Sequence, residues 1–410
     1  MKINKTKLVY FCDNVVLFAI YAITFFLPIS KALIESFMIL AFLFYLFKKI
    51  INKECFLLNW FNLSLLIYVT VCLVSVFIST NFKISIMAFT FKHLEHVIFV
   101  LVVVDTLNSK TRIKNMLYIL LVSSALLGLD GIFQFFKHQD FLRHRPPIFD
   151  KRLTASFTSP NAFGCFLVCM IPYSLVQVFI KFNNKKFKFM SAVLFSLLLV
   201  CLILAVSRGA WFAFIGAILF MSIWLPYLGI TVAVLLLFTI FVLQFYNSLV
   251  NERLRNFFIF KDAGAMDRRV IWQAGWNMFK ANPWFGLGLG TFMFNFKEFV
   301  TDKSFYIAYA HNCYLQIIAE TGIIGLFSFL LILIFFFFRG IKLLISAQKA
   351  LSWYLLLASL SSLLGYCIHM AVETILYSLD LGLLFWLIMS FGVAIMNNLE
   401  AEEAVGGQAG

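Results

Sequence analysis

The chain has 410 residues, of which 62% are hydrophobic and only 13% charged, and its mean hydropathy is +0.95. Soluble domains are nearer half apolar and a quarter charged. A water-soluble globular fold is therefore excluded, and an all-α integral membrane protein, a helix bundle in lipid, is expected. The net charge of +14, from 33 basic and 19 acidic residues, has to be read by side of the membrane, and no nucleic-acid partner is expected.

About twelve spans are predicted, each near the ~20 residues a bilayer needs. They fall at 8–29, 33–48, 57–79, 85–106, 115–136, 161–180, 187–206, 209–225, 227–246, 316–338, 350–372 and 379–397. The first apolar run is too long for a cleavable signal and lacks a small-residue cleavage site. Spans 1–9 thus occupy 1–246, a large loop fills 247–315, spans 10–12 lie in 316–397, and 398–410 is a polar tail with no fold signal. With the N-terminus in the cytoplasm, the Lys/Arg-rich loops KKIINKE, NSKTRIKN and KFNNKKFK and the stretch 339–349 all fall inside, as the positive-inside rule requires. The eight cysteines show neither a disulfide framework nor metal-type Cys/His spacing, and no metal is expected.

Three groups of basic residues run against that rule. The outer loop 137–160 holds Lys137, Arg143, Arg145, Lys151 and Arg152; Arg208 stands in SRGAW between two apolar spans; the long loop carries Arg268 and Arg269 among others. Such residues suggest an anion to be held on the outer face. Long loops translocate whatever their charge, which is the plainer reading of the third group. Arg208 has almost no loop around it. An arginine inside a bilayer costs roughly 2.5–3.5 kcal/mol at the centre, so it either faces a polar cavity or snorkels to the headgroups.

Later elements add candidates. A helix is predicted to begin at Asp267, a good N-cap, with Arg268, Trp272, Gly275 and Phe279 on one face at helical spacing. In its first turn Arg268 would meet an anion favoured by the helix terminus; an amphipathic helix lying on the membrane is the alternative. The turn NPWFGLGLG follows a helix, so its GxGxG is not a dinucleotide fingerprint but a tight turn returning the loop to the bundle. His311 precedes the next span, where a histidine is either a general base or an interfacial residue. Glu320, nine residues on, faces away from it along a continuous helix and would hold a contact near the kink Thr321-Gly322. Lys92, His93, Glu95 and His96 begin the fourth span; Asp130, His369 and Glu373 lie at other outer ends, each readable as a packing polar residue.

The stretches SRGAW, DRRVIWQAGW…NPWFGLGLGTF and AHNCYLQIIAETGIIG resemble, in this order, the signatures of the O-antigen ligase/polymerase (Wzy_C-type) family. RLTASFTSPNAFG at 152–164 is similar to that family's outer segment. The resemblance covers roughly 150–330 in detail. It implies a GT-C-type fold in the bacterial inner membrane, with one large periplasmic loop between spans 9 and 10. It also implies a glycosyltransferase, most like an O-antigen ligase, that moves glycan from undecaprenyl diphosphate to lipid A-core, with membrane lipid around it and no cofactor. By the motif match, His311 would be catalytic and Arg208 and Arg268 would bind diphosphate. Arg269, Arg152, Lys92, Asn312 and Glu320 would contact substrate. The chain departs from the family at Asp267 and Ala155, positions where glycine is common. A polymerase, with the same donor and a lipid-linked repeat as acceptor, fits the same motifs. A twelve-span transporter or flippase would show internal repeats and charges along a path, and neither is seen.

Overall fold

The structure is a computed structural model that describes residues 5–53, 59–147, 152–180, 184–228, 232 and 263–406. Among them there is no sheet. The helices are α1 (Lys5–Phe26), α2 (Lys31–Asn52), α3 (Trp60–Phe77), α4 (Phe82–Thr106), α5 (Lys110–Lys137), α6 (Pro160–Phe179), α7 (Lys185–Leu204), α8 (Arg208–Trp224), α9 (Ala263–Ala281), α10 (Phe292–Phe299), α11 (Cys313–Ser346), α12 (Leu351–Met370) and α13 (Leu379–Gly406). Their starts are marked by short polar caps. Ser30, Asn59, Asn81, Ser109, Ser159, Asn184, Ser207 and Asn312 each accept a hydrogen bond from the backbone N–H three residues on, which satisfies one donor that the helix leaves unpaired.

Nine of the described helices are long and apolar enough to cross a membrane, so the protein is a multi-pass membrane protein. Helices α2 and α8 occupy two further predicted spans. The predicted span at 227–246 lies, but for three residues, outside the described residues. Burial ranks the spans. Of the most apolar window, 83% is buried in α6 and α12 and 89% in α13, against 39% in α1 and α3. The first three therefore form the centre and the last two face lipid. Helix α12 packs on α8 and α6, α13 on α12 and α4, and α11 on α3.

One end of the bundle is stitched by charge. Asp13 pairs with Lys48 (2.6 Å) and Arg112, Asp105 with Lys49 (2.6 Å), and Arg339 with Glu400 (2.6 Å). The last pair reaches into the stretch expected to lack structure: α13 continues through it to Gly406. The opposite end carries the loop elements α9 and α10. They bury a small core of their own around Ile271, Met278, Phe292 and Phe296 and rest on the start of α11.

The glycine-rich turn locks these loop elements to the bundle. Glu320 accepts from the N–H groups of Gly290 (2.9 Å) and Phe292 (3.3 Å), from Gln316 (3.0 Å) and from the Tyr377 hydroxyl (3.2 Å). Helix α11 kinks beside it at Gly322 (φ 67°, ψ −172°). The freed N–H groups of Ile323 and Ile324 donate to the carbonyls of Pro283 and Trp284. A side chain at Gly322 would place Cβ 2.2 Å from the Trp284 carbonyl, so glycine is required both for its left-handed backbone and for this approach.

Candidate active site

Glu373 is the hub of the polar cluster at this end. It follows α12 in the short connection to α13, outside any span. Its Oε1 accepts from His311 Nδ1 at 2.6 Å. Its Oε2 accepts from Asn161 Nδ2 at 2.5 Å and lies 3.5 Å from Arg268 Nη2. The carboxylate is 13% exposed, His311 36% and Arg268 32%, so the glutamate sits below two groups that open to the outside. Burial pushes its pKa up. The hydrogen bond and charge of His311, then Arg268 and His369, outweigh that and bring it down to about 2, so it is ionised at any physiological pH. A carboxylate only accepts. His311 Nδ1 must therefore carry a proton in this contact, which leaves Nε2 as the ring nitrogen available for proton transfer.

His311 is aimed by its neighbours. Trp272 Nε1 donates to the carbonyl of Ala310 at 2.9 Å, and Asn312 caps α11 by accepting from Leu315 N–H at 3.0 Å. Between these anchors His311 takes a left-handed backbone, φ 46°. For a non-glycine residue that costs on the order of 1–3 kcal/mol and persists only where surroundings impose it.

Asn161 extends the network. Its Oδ1 accepts from Ser207 Oγ (2.9 Å) and Arg152 Nη2 (3.4 Å), and Arg152 Nε also donates to the Ala205 carbonyl (3.2 Å). Ser207 caps α8, whose first residue is Arg208. The three-residue connection after α7 includes Val206 at φ 51°, and Ala155 on the facing segment has φ 45°. The latter position needs the conformation glycine adopts most easily, which is a physical reason for the glycine expected there.

Arg268, Arg152 and His311 therefore lie on one connected set of contacts, and Arg208 adjoins it in the chain as the residue after Ser207. Arg269 is exposed, Asn312 serves as a cap, Glu320 is committed to the glycine-rich turn, and Lys92 lies in a separate recess. The expectation for Asp267 is corrected: α9 begins at Ala263, so Asp267 is not its N-cap and Arg268 is not in the first turn. Asp267 instead accepts from the Tyr306 hydroxyl at 3.1 Å. The helix terminus at the cluster is that of α8, not α9. Glu373 and Asn161 were not singled out as site residues by the sequence. Glu373 reads there as a packing partner of His369, four residues before it. The available signal was a carboxylate just beyond a span end, in a chain with few acids.

Residues 193–330 match the family described as O-antigen ligase, Wzy_C. Over that stretch the resemblance carried by the sequence motifs holds, and this segment is similar to membrane enzymes that ligate or polymerise lipid-linked glycan. It contains Arg208, Arg268, His311, Asn312 and Glu320; Arg152, Asn161 and Glu373 lie outside it. No curated protein matches the chain.

Proposed function

We propose that this protein is an O-antigen ligase, a GT-C-type inverting glycosyltransferase of the bacterial inner membrane. It would move glycan from undecaprenyl diphosphate to a sugar hydroxyl of lipid A-core at the periplasmic face. The observation that carries this reading is the His311–Glu373 pair beside Arg268. A base with its proton-bearing nitrogen tied to a carboxylate stands next to a cation on the same carboxylate. In this reading 1–246 and 316–397 are membrane-embedded, 247–315 is the periplasmic loop, and the residues after 397 lie in the cytoplasm.

The chemistry needs one displacement. The acceptor hydroxyl oxygen attacks the anomeric carbon of the donor sugar, and its proton passes to His311 Nε2. The bond from that carbon to the diphosphate oxygen breaks, and the electron pair leaves with undecaprenyl diphosphate. Attack from the opposite face inverts the anomeric centre. Glu373 stabilises the imidazolium as it forms and holds the ring. Arg208 and Arg268 neutralise the charge that grows on the leaving diphosphate, as preorganised cations do at a transition state. The guanidinium fork matches phosphate oxygens, and the N-terminus of α8 favours the same anion. The donor carries its own activation, so no nucleotide is needed. Arg152 positions Asn161 and the α7–α8 connection. Arg269 and Asn312 border the site.

The test is a gel of surface glycolipids together with an assay of undecaprenyl-linked glycan in cells lacking the protein. These cells are complemented with wild type, Arg208→Ala, Arg268→Ala, His311→Ala and Glu373→Gln. Long glycan retained on its carrier with bare lipid A-core in the null and the variants is the expected result. Core bearing a single repeat would make the protein a polymerase instead. Glycan trapped on the cytoplasmic leaflet would make it a flippase and overturn the transferase reading.

A further inference from the structure

A second polar recess lies across the connection that carries Glu373. It is walled by Tyr68 of α3, by Lys92, His93 and His96 of α4, by Tyr377 from the 371–378 connection and by Trp386 of α13. Its free space is about that of one water-sized group. Helix α4 makes a π turn here, Phe89–Leu94, a feature found often at functional positions because it re-aims side chains by one residue.

Three observations set it apart from ordinary packing. Lys92 is exposed although it stands ten residues into α4, about 15 Å along a helix rising 1.5 Å per residue. That is well inside a hydrocarbon layer of about 30 Å. His96 is 3% exposed, and its Nε2 has no partner among the described residues. A buried polar atom left without a partner is costly to keep. His93 Nδ1 is paired to the Tyr68 hydroxyl at 2.7 Å, which holds the neighbouring ring in place. Glu320 faces Lys92 through space, but its oxygens are engaged by Gly290, Phe292, Gln316 and Tyr377. Lys92 makes no ion pair among the described residues.

A snorkelling lysine explains the first observation and not the second. A ligand that reaches both must come from the side, out of the bilayer, and carry an oxygen that can enter the recess. Building on the transferase reading, we infer that this recess binds the acidic headgroup of a second lipid. Lys92 holds its phosphate or carboxylate, and His96 Nε2 bonds an oxygen placed inside. The Glu373–Tyr377 connection lies between this headgroup and the donor site, which is where an acceptor glycolipid has to stand.

Native mass spectrometry of the purified full-length protein in detergent tests this with three probes: lipid A, dioleoylphosphatidic acid and dioleoylglycerol. Lipid A should bind roughly tenfold more weakly to Lys92→Gln and to His96→Phe than to wild type, the size of one lost charge-assisted contact. Dioleoylglycerol should show no dependence on either residue. Lys92 is exposed, so its variant keeps the fold, and matching thermal stability confirms that. Equal, Lys92-dependent binding of phosphatidic acid would assign the same chemistry to bulk phospholipid. Lipid A binding unchanged in Lys92→Gln, or weakened only in Arg268→Ala, overturns the inference. Lys92-dependent binding in a protein whose null mutant still transfers glycan would retain this site and remove the transferase reading.

Discussion

Glu320 and Glu373 are two carboxylates held out of water at the same end of the bundle, and their partners are of different kinds. Glu320 is 1% exposed and is engaged by two backbone N–H groups, a glutamine amide and a tyrosine hydroxyl. None of these partners changes its charge near neutral pH. Glu373 is engaged by a histidine, an arginine and an asparagine, of which one can take and release a proton. Uncharged fixed donors make a carboxylate part of the scaffold. A titratable partner open to the outside makes it part of the chemistry. Removing each charge in turn should therefore produce opposite failures.

Glu373→Gln and His311→Ala should show the largest effect. A positioned general base contributes about 10²–10⁴-fold to a rate, and glutamine cannot stabilise the imidazolium. We expect both variants to purify as folded protein and to lose glycan transfer by roughly two orders of magnitude or more in a membrane assay with purified donor. Transfer within about twofold of wild type in Glu373→Gln would end the distinction between the two carboxylates.

On the scaffold side, Gly322→Ala should come next. The new Cβ meets backbone, not a side chain that can rotate away, and φ stays at 67°. Overpacking and left-handed strain each cost about 1–3 kcal/mol. The thermal transition should fall sharply, with the turn at 283–290 released to proteolysis. Glu320→Gln should follow with a loss of about 1–3 kcal/mol, because its amide would leave one backbone donor at Gly290 or Phe292 unsatisfied. If Glu320→Gln were as stable as wild type and inactive, Glu320 would join the chemistry and the contrast would fail.

The pH dependence of stability sharpens the same comparison. Glu373 titrates at about 2 in the folded protein, below its ordinary value of 4.5. A depressed carboxylate contributes stability that is fully present above the unfolded value and lost as pH falls through the folded one. The shift corresponds to on the order of 3 kcal/mol at most. The difference in unfolding temperature between wild type and Glu373→Gln should narrow steadily as pH falls from 5 toward 3. A constant difference across that range would mean that the charge of Glu373 carries no stability.

The membrane-embedded helical fold was legible from composition and span length, because a bilayer permits little else. Arg208 stood out because an arginine between two apolar runs is costly inside a bilayer, and Arg208, Arg268 and His311 were picked out together by the motif resemblance. What the sequence did not disclose depends on local geometry. Helix α12 stops at Met370, so Glu373 leaves the helical register that would pair it with His369 and meets His311, 62 positions away in the chain. No periodicity reports a contact of that separation. Asp267 looked like a cap because a short polar residue preceded an apolar stripe, yet α9 starts a turn earlier and the aspartate bonds Tyr306 instead. The π turn in α4 is equally silent, since one extra residue in a uniformly apolar helix leaves no trace in its pattern.

The smallest expected effect concerns how His311 is held. Trp272 donates one hydrogen bond to the carbonyl of Ala310, the residue before the strained histidine. Trp272→Phe keeps an aromatic ring in place and deletes that bond, worth about 0.5–1.5 kcal/mol. If the left-handed backbone at His311 is maintained by its flanking anchors, the loss should fall on geometry rather than on substrate affinity. The turnover rate should drop a fewfold while half-saturation by donor stays within about twofold of wild type. The unfolding temperature should move by only a few degrees. A change in donor affinity with turnover intact would place Trp272 on the substrate and would mean that Asn312 and Glu373 suffice to aim the ring.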